Sequence, residues 1–161
     1  MPITATPESF RLAETFTISR GSRDAASVLT VEITRGDHKG LGECVPYARY
    51  GETMESVAAQ VAGLPDEVTR EALQSQLPAG AARNAVDCAL WDLEAKQAGQ
   101  RAYALAGLDA PRPVITAFTL SLETPEKMRA SAARHAHRPL LKIKLGGEDD
   151  MARLEAVRAG A

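Results

Sequence analysis

An α+β N-terminal domain, a three-stranded antiparallel meander plus helices, feeding the opening of a β/α barrel or a doubly wound sheet, is the fold this sequence predicts. Three observations predict it. The first fifty residues hold β-branched runs broken by glycine turns, residues 53–99 switch to helical spacing, and strand-like and helix-like segments alternate from Val114 onward.

The meander begins with Phe10 to Ser19, rich in β-branched and aromatic residues, followed by turn chemistry in Arg20-Gly21-Ser22-Arg23-Asp24. Val28 to Arg35 is the second predicted strand, and Gly36-Asp37 marks the turn into a third, Lys39 to Cys44. Thr53 is then a candidate N-cap for a helix carrying Val57, Val61 and Leu64 until Pro65 interrupts it. A short helix is predicted over Val68 to Leu77. The clearest helix follows Pro78-Ala79-Gly80 and runs to a C-capping Gly99, with Ala82, Ala85, Val86, Ala89, Leu90 and Leu93 on one stripe. Its alanines permit close approach of another backbone, and Trp91 adds bulk at the stripe's edge.

After Pro111-Arg112-Pro113, Val114 to Leu122 reads as a strand and Thr124-Pro125-Glu126 opens a helix with Pro in its first turn. That helix runs from Glu126 to His135 and leads to strand Leu140 to Leu145. Gly146-Gly147 follows, and Glu148-Asp149-Asp150 starts another helix with the negative charge its dipole favours.

Composition narrows the function classes. The chain has 161 residues, 45% hydrophobic and 25% charged, as expected of a globular protein rather than a disordered one. That length accommodates one ordinary domain, or a small domain and part of another. A net charge of −2 with 19 scattered Lys and Arg offers no basic surface for nucleic acid or an anionic membrane, which leaves small molecules as the expected partners. The N-terminus lacks a leader pattern and no segment reaches membrane-spanning length, so a cytoplasmic location is expected. Cys44 and Cys88 have no Cys-x-x-Cys spacing and are expected to be free thiols. His135 and His137 lack the third ligand that a zinc site needs.

The run Leu141-Lys142-Ile143-Lys144-Leu145 carries the chemistry. Side chains alternate along a strand, so Lys142 and Lys144 share one face while the apolar residues share the other. On a solvated face this is an ordinary amphipathic strand. In a covered parallel sheet adjacent lysines are unusual, and repulsion with desolvation would lower an ammonium pKa toward the range of a useful base.

Several segments together resemble the enolase superfamily, within it the muconate-lactonizing subgroup and its L-Ala-D/L-Glu dipeptide epimerases. They are Arg20-Gly21-Ser22-Arg23, the stretch from Gly42 to Glu52, Ala81-Ala82-Arg83-Asn84-Ala85-Val86-Asp87-Cys88-Ala89-Leu90-Trp91-Asp92, and the Lys-x-Lys strand, in the family's order. The resemblance implies a capping domain over residues 1–108 and a TIM-type barrel whose first two β/α units occupy 109–161. It implies that Lys144 is an acid/base catalyst and Lys142 its charge-stabilising neighbour. It implies an acidic dipeptide substrate, with Arg20 or Arg23 pairing with the glutamate carboxylate and Tyr47, Arg49 and Tyr50 shaping the pocket. Thr119, toward the C-terminal end of the first barrel strand, would line it.

Mg²⁺ is the implied cofactor, as is established for the superfamily together with a Lys or His base. Its three carboxylate ligands are implied on the third to fifth barrel strands and the opposing lysine on the sixth, beyond Ala161, so no metal ligand is assigned in this chain. Glu148, Asp149 and Asp150 are read as dipole-capping residues. The chain alone is therefore expected to be inactive, and to self-associate or pair with a missing barrel portion through its open edge. An N-acylamino acid racemase, an o-succinylbenzoate synthase, a cycloisomerase or a non-catalytic interaction module remain alternatives.

Overall fold

The computed structural model describes residues 3–161, so Met1 and Pro2 of the 1–108 segment lie outside the described residues. It divides into two compact units. One comprises residues 1–10 and 27–111, the other residues 11–26 and 112–161.

A three-stranded sheet holds β1 (Ile3–Ile18), β2 (Gly21–Arg35) and β3 (His38–Cys44) in the order β1-β2-β3; residues 3–10 of β1, residues 27–35 of β2 and all of β3 belong to the first unit. β2 and β3 are antiparallel, with Leu29 opposite Cys44 and Arg35 opposite His38. Val28, Leu29, Val31 and Ile33 are buried, the alternation of the last three placing one face of β2 inward. Three helices cover that face: α1 (Met54–Ala62), α2 (Arg70–Gln76) and α3 (Ala81–Gln97), followed by the single turn α4 (Ala102–Leu105). Thr53 caps α1, its side chain accepting from the Ser56 N–H while the Ser56 hydroxyl accepts from the Thr53 N–H.

α3 lies directly on β3, and the sequence of both explains how. Gly40 and Gly42 have no side chain, and a Cβ built on either would stand 2.0 Å from the carbonyl oxygen of Ala89 or Ala85. The alanine stripe of α3 thus meets a glycine stripe of β3, backbone against backbone. β3 is also the edge of the sheet, and α3 covers its outward polar groups. Asp92 Oδ2 accepts from the Leu41 N–H at 2.8 Å, Lys96 Nζ donates to the Lys39 carbonyl at 2.8 Å, and Asn84 Nδ2 donates to the Glu43 carbonyl at 3.4 Å. These residues recur every fourth or eighth position on one helix face, which keeps the edge from templating another strand. Trp91 fastens α2 to α3: the Arg70 guanidinium lies 3.8 Å from its ring centroid and pairs with Glu94 at 2.8 Å.

The second unit contains β4 (Phe118–Leu120), α5 (Pro125–Arg134), β5 (Leu141–Ile143) and α6 (Asp150–Gly160). β4 and β5 are parallel, with Thr119 opposite Lys142. A strand–helix–strand unit of this kind opens a β/α barrel. Pro125 occupies the first turn of α5 and Thr124 caps it. Leu120, Met128, Ala132 and Val157 form its core.

Several predicted spans need correction, among them the strand predicted over Leu140 to Leu145, which contracts to Leu141–Ile143. Ser22 to Asp24 belong to β2 and not to a turn, because Gly21 at φ +139° and two residues before it complete the reversal. β1 begins seven residues earlier than the predicted Phe10, at Ile3. The strand predicted over Val114 to Leu122 contracts to Phe118–Leu120, with Val114 84% and Ile115 68% exposed.

Candidate functional site

Five of the eight predicted site residues, Arg20, Arg23, Thr119, Lys142 and Lys144, belong to the second unit. Lys142 lies within β5 and is exposed, whereas Lys144 follows the strand's last residue and is half-buried. The C-terminal end of β5 is also where a β/α barrel gathers its chemistry.

The turn after Lys144 is firmly held. Asp150, in the first turn of α6, accepts from the Gly146 N–H at 2.9 Å and the Gly147 N–H at 2.8 Å. Those two bonds, and then the Arg153 guanidinium, hold its carboxyl below the usual aspartate range. Arg153 Nη1 donates to Asp150 at 3.2 Å and to the Glu148 carbonyl, and its Nε donates to the Glu123 carbonyl at 2.9 Å. Arg153 therefore ties the segment after β4 to the segment after β5. The predicted acidic helix start is more specific than dipole capping: Asp150 closes the Gly-Gly turn, while Asp149 sits at φ +65° with no side-chain cap bond.

A hairpin arm, residues 11–26, belongs to the same unit and carries both loop arginines. The Ser121 hydroxyl accepts from the Thr17 N–H at 2.8 Å, and the Leu122 N–H donates to the Thr17 carbonyl at 3.0 Å. These bonds join the arm to the C-terminal end of β4. Cross-strand pairs stiffen its tip: Thr15 Oγ1 donates to Asp24 at 2.5 Å and the Thr17 and Ser22 hydroxyls are 2.9 Å apart.

Arg23 lies 5.7 Å from the Phe16 ring centroid and lines a cleft of about 720 Å³ with Phe118, Thr119 and Ser121. Among the described residues no carboxylate pairs with it. Arg20 is exposed at the hairpin turn, outside this cleft's lining. The lysines do not line the cleft either; the register of Thr119 with Lys142 places the two strands' site residues side by side. Arg23 and Thr119 thus share a cleft, Thr119 and Lys142 share a register, and Lys144 follows at the strand's end.

The remaining predicted residues belong to the first unit. Tyr47, Arg49 and Tyr50 lie in and just before a 3₁₀ turn at Ala48–Tyr50, all exposed, with the two tyrosine rings 5.8 Å apart. They adjoin a second cleft of about 560 Å³ lined by Val45, Tyr47, Tyr50, Glu52, Gly80 and Asn84, among others. Cys44 at its base is a free, buried thiol, pushed up to about 11 by burial and then by the nearby Glu52 and Glu43 charges. Cys88 is free and exposed.

Among the described residues no cluster of three or more His, Cys, Asp or Glu is arranged to hold a metal ion. His135 instead stacks on Phe118 at 4.2 Å and bonds through Nδ1 to the Ser131 carbonyl at 2.8 Å. Among the described residues no helix is long and apolar enough to cross a membrane. Sequence reasoning did not single out Ser121, Arg153 or the clamp made by Asp150. An Asp three residues after a Gly-Gly turn is a local acceptor signal for Asp150, but the partners of Ser121 and Arg153 are 104 and 30 residues away, beyond any local pattern.

Residues 2–107 match the family model described as mandelate racemase / muconate lactonizing enzyme, N-terminal domain. The chain is 46% identical over 157 residues to the L-Ala-D/L-Glu epimerase of Escherichia coli K12, covering 94% of this chain and 49% of that one. A solved enolase family member from Agrobacterium tumefaciens, described as homologous to dipeptide epimerases with bound sodium and L-Ala-L-Glu, superposes with a TM-score of 0.93. It is 52% identical and the match covers 99% of this chain and 50% of that one. A dipeptide epimerase from Enterococcus faecalis V583, complexed with Mg and L-Leu-L-Tyr, superposes with a TM-score of 0.80 at 29% identity, covering 100% and 51%. The chain spans about half the length of the relatives it matches. With the capping-domain match covering most of its length and the parallel β/α start following in order, the chain belongs to the enolase superfamily, in its muconate-lactonizing branch.

Proposed function

We propose that these residues form part of a Mg²⁺-dependent dipeptide epimerase of the L-Ala-D/L-Glu type that acts on murein-derived peptides. In this reading residues 1–108 are the capping domain and 109–161 the first two β/α units of the barrel. The observation that carries it is the residue set on one unit: Arg23, which among the described residues has no carboxylate partner, Thr119 in the same cleft and in register with Lys142, and half-buried Lys144 just after the strand. The dipeptide held by the Agrobacterium relative carries the negative charges that this unit's arginine and lysines would complement.

The chemistry follows from the residue types. A proton on a carbon next to a carboxylate is weakly acidic, so removing it needs both a base and stabilisation of the resulting charge. Lys144, as a neutral amine, takes that proton; the C–H electron pair moves into the carboxylate and gives an enediolate. The Lys142 ammonium stabilises the added charge, and the Lys144 ammonium returns its proton when the reaction runs backward. Lys144 serves one face of the carbon, and inversion requires a second proton carrier on the other.

A guanidinium binds a carboxylate through two parallel hydrogen bonds, which suits Arg23, or Arg20, to the glutamate side chain. Tyr47, Arg49 and Tyr50 shape the dipeptide's surroundings. Mg²⁺ would supply further charge stabilisation when bound. The described residues offer no ligand set for it, and no step here depends on them to hold it.

The test is the protein expressed from its complete reading frame, incubated in D₂O with Mg²⁺ and L-Ala-L-Glu. Epimerisation at the glutamate carbon with deuterium incorporation is expected, and residues 1–161 alone are expected to give neither. Failure of the complete protein to exchange that proton would overturn the reading.

A further inference from the structure

We infer that Glu52 is a positioning residue: one carboxylate locks the turn bearing Tyr47, Arg49 and Tyr50 onto the N-terminus of α3. Its consequence for substrate rests on the epimerase reading; the lock itself does not.

The need for such a lock starts at Gly80. This residue is the N-cap of α3 and has no side chain to accept from the helix's free N–H groups, and no side-chain cap bond is made there. Glu52 supplies the acceptor from another segment. Its Oε1 accepts from the Ala81 N–H at 2.7 Å, and its Oε2 accepts from the Tyr47 N–H at 3.0 Å. The two oxygens of one group thus bridge residues 34 positions apart, the difference between 81 and 47.

The turn is closed on itself as well. The Tyr50 N–H donates to the Tyr47 carbonyl at 2.8 Å, the Gly51 N–H to the Ala48 carbonyl at 3.0 Å, and the Glu52 N–H to the Tyr47 carbonyl at 3.4 Å. Between the end of β3 and the start of α1, a turn closed by its own hydrogen bonds moves as a single piece. Releasing Glu52 frees both aromatic rings and Arg49 together. Gly80 leaves room for the contact, since a Cβ there would stand 2.9 Å from Glu52 Oε1. The Ala48–Tyr50 turn contains no buried residue, and the Glu52 carboxylate bonds the residue before it to the start of α3.

Two readouts separate the lock from its consequence. In residues 1–161, tryptic cleavage after Arg49 should run about tenfold faster in Glu52→Ala, the equivalent of one lost hydrogen-bonded tie. Glu52→Gln keeps one acceptor oxygen and should fall between. Gly80→Ala, which crowds the carboxylate without touching the turn, should also speed this cut while the helical circular dichroism stays that of the parent. In the protein from its complete reading frame, Glu52→Ala should raise KM for L-Ala-L-Glu about fivefold with kcat within about twofold, and Glu52→Gln should restore part of that loss.

Unchanged cleavage after Arg49 in Glu52→Ala and Gly80→Ala would overturn the lock. Faster cleavage with unchanged KM would overturn the positioning role while leaving the epimerase reading intact. A parent protein with no exchange activity would overturn the epimerase reading instead, and the cleavage rates would still decide the lock.

Discussion

The two units of this chain distribute their apolar residues very differently. The sheet-and-helix unit holds a continuous core of sixteen buried residues drawn from β2, β3, α1, α2, α3 and the segments flanking α2, with Leu29, Leu73, Leu90 and Leu93 fully enclosed. The strand–helix–strand unit buries four, and leaves Ile115 and Met151 each 68% exposed. Burial of apolar area is the main favourable term in folding, so the first unit has the means to stand on its own contacts and the second has few. Yet the second holds the lysines, Thr119 and the loop arginines. The proposed proton carriers and the larger core occupy different parts of the chain.

The largest expected effect tests the close approach behind the first core. Gly42→Ala places a Cβ against the Ala85 backbone, which cannot rotate away, and should cost about 3 kcal/mol or more in urea unfolding. Gly146→Ala in the second unit meets only the end of the Leu122 side chain at 2.7 Å and should cost well under half as much. Equal losses would break the contrast between the units.

Next comes the core itself. Leu90→Ala should destabilise the first unit by about 2–5 kcal/mol. Met128→Ala should speed amide hydrogen exchange in α5 and α6 and leave the amides of α3 unchanged, because each unit opens through its own contacts. Uniform acceleration across both units would show one cooperative block.

The smallest effects concern the surface carboxylates. Asp92→Ala frees the Leu41 N–H and the Lys96 ammonium and should cost about 1 kcal/mol. Burial acts upward on Asp92, but hydrogen bonds from Lys96 and the Leu41 N–H, with the Lys96 charge, leave its pKa lowered on balance. A lowered folded-state pKa means this contribution is complete above the unfolded value, about 3.9, and fades as pH falls through the lower folded value. Asp150 has the same sign in the second unit. Acidification should therefore weaken both the β3 edge and the Gly146-Gly147 turn, whereas Asp92→Ala should remove only the first response. An acid profile identical in that variant would contradict the assignment.

Much of this was legible in local pattern. Thr53 and Thr124 cap the helices they were expected to cap, the alanine stripe of α3 is buried, and the strand–helix alternation after Pro113 is present. Caps and stripes depend on residues within a few positions of each other, and sequence records those. What escaped depends on distant partners. Ser22 to Asp24 look like turn residues, yet the long hairpin arm draws them into β2. Gly40 and Gly42 share one face of β3, and only the approach of α3 explains why that face carries no side chain there. At the site, the strand around Lys142 was legible although it stops before Lys144, whereas the pairing of Thr119 with Lys142 and the long-range hydrogen bonds of Ser121 and Arg153 were not.

The central claim is that Lys144 moves the proton. It is tested most directly by following α-deuterium incorporation into L-Ala-L-Glu and L-Ala-D-Glu separately, in the protein from its complete reading frame and in its Lys144→Ala variant. A group that serves one face predicts that the variant loses exchange of one epimer by about 100-fold or more, the contribution typical of a positioned general base, with its circular dichroism unchanged. Parent-like exchange of both epimers in the variant would contradict it.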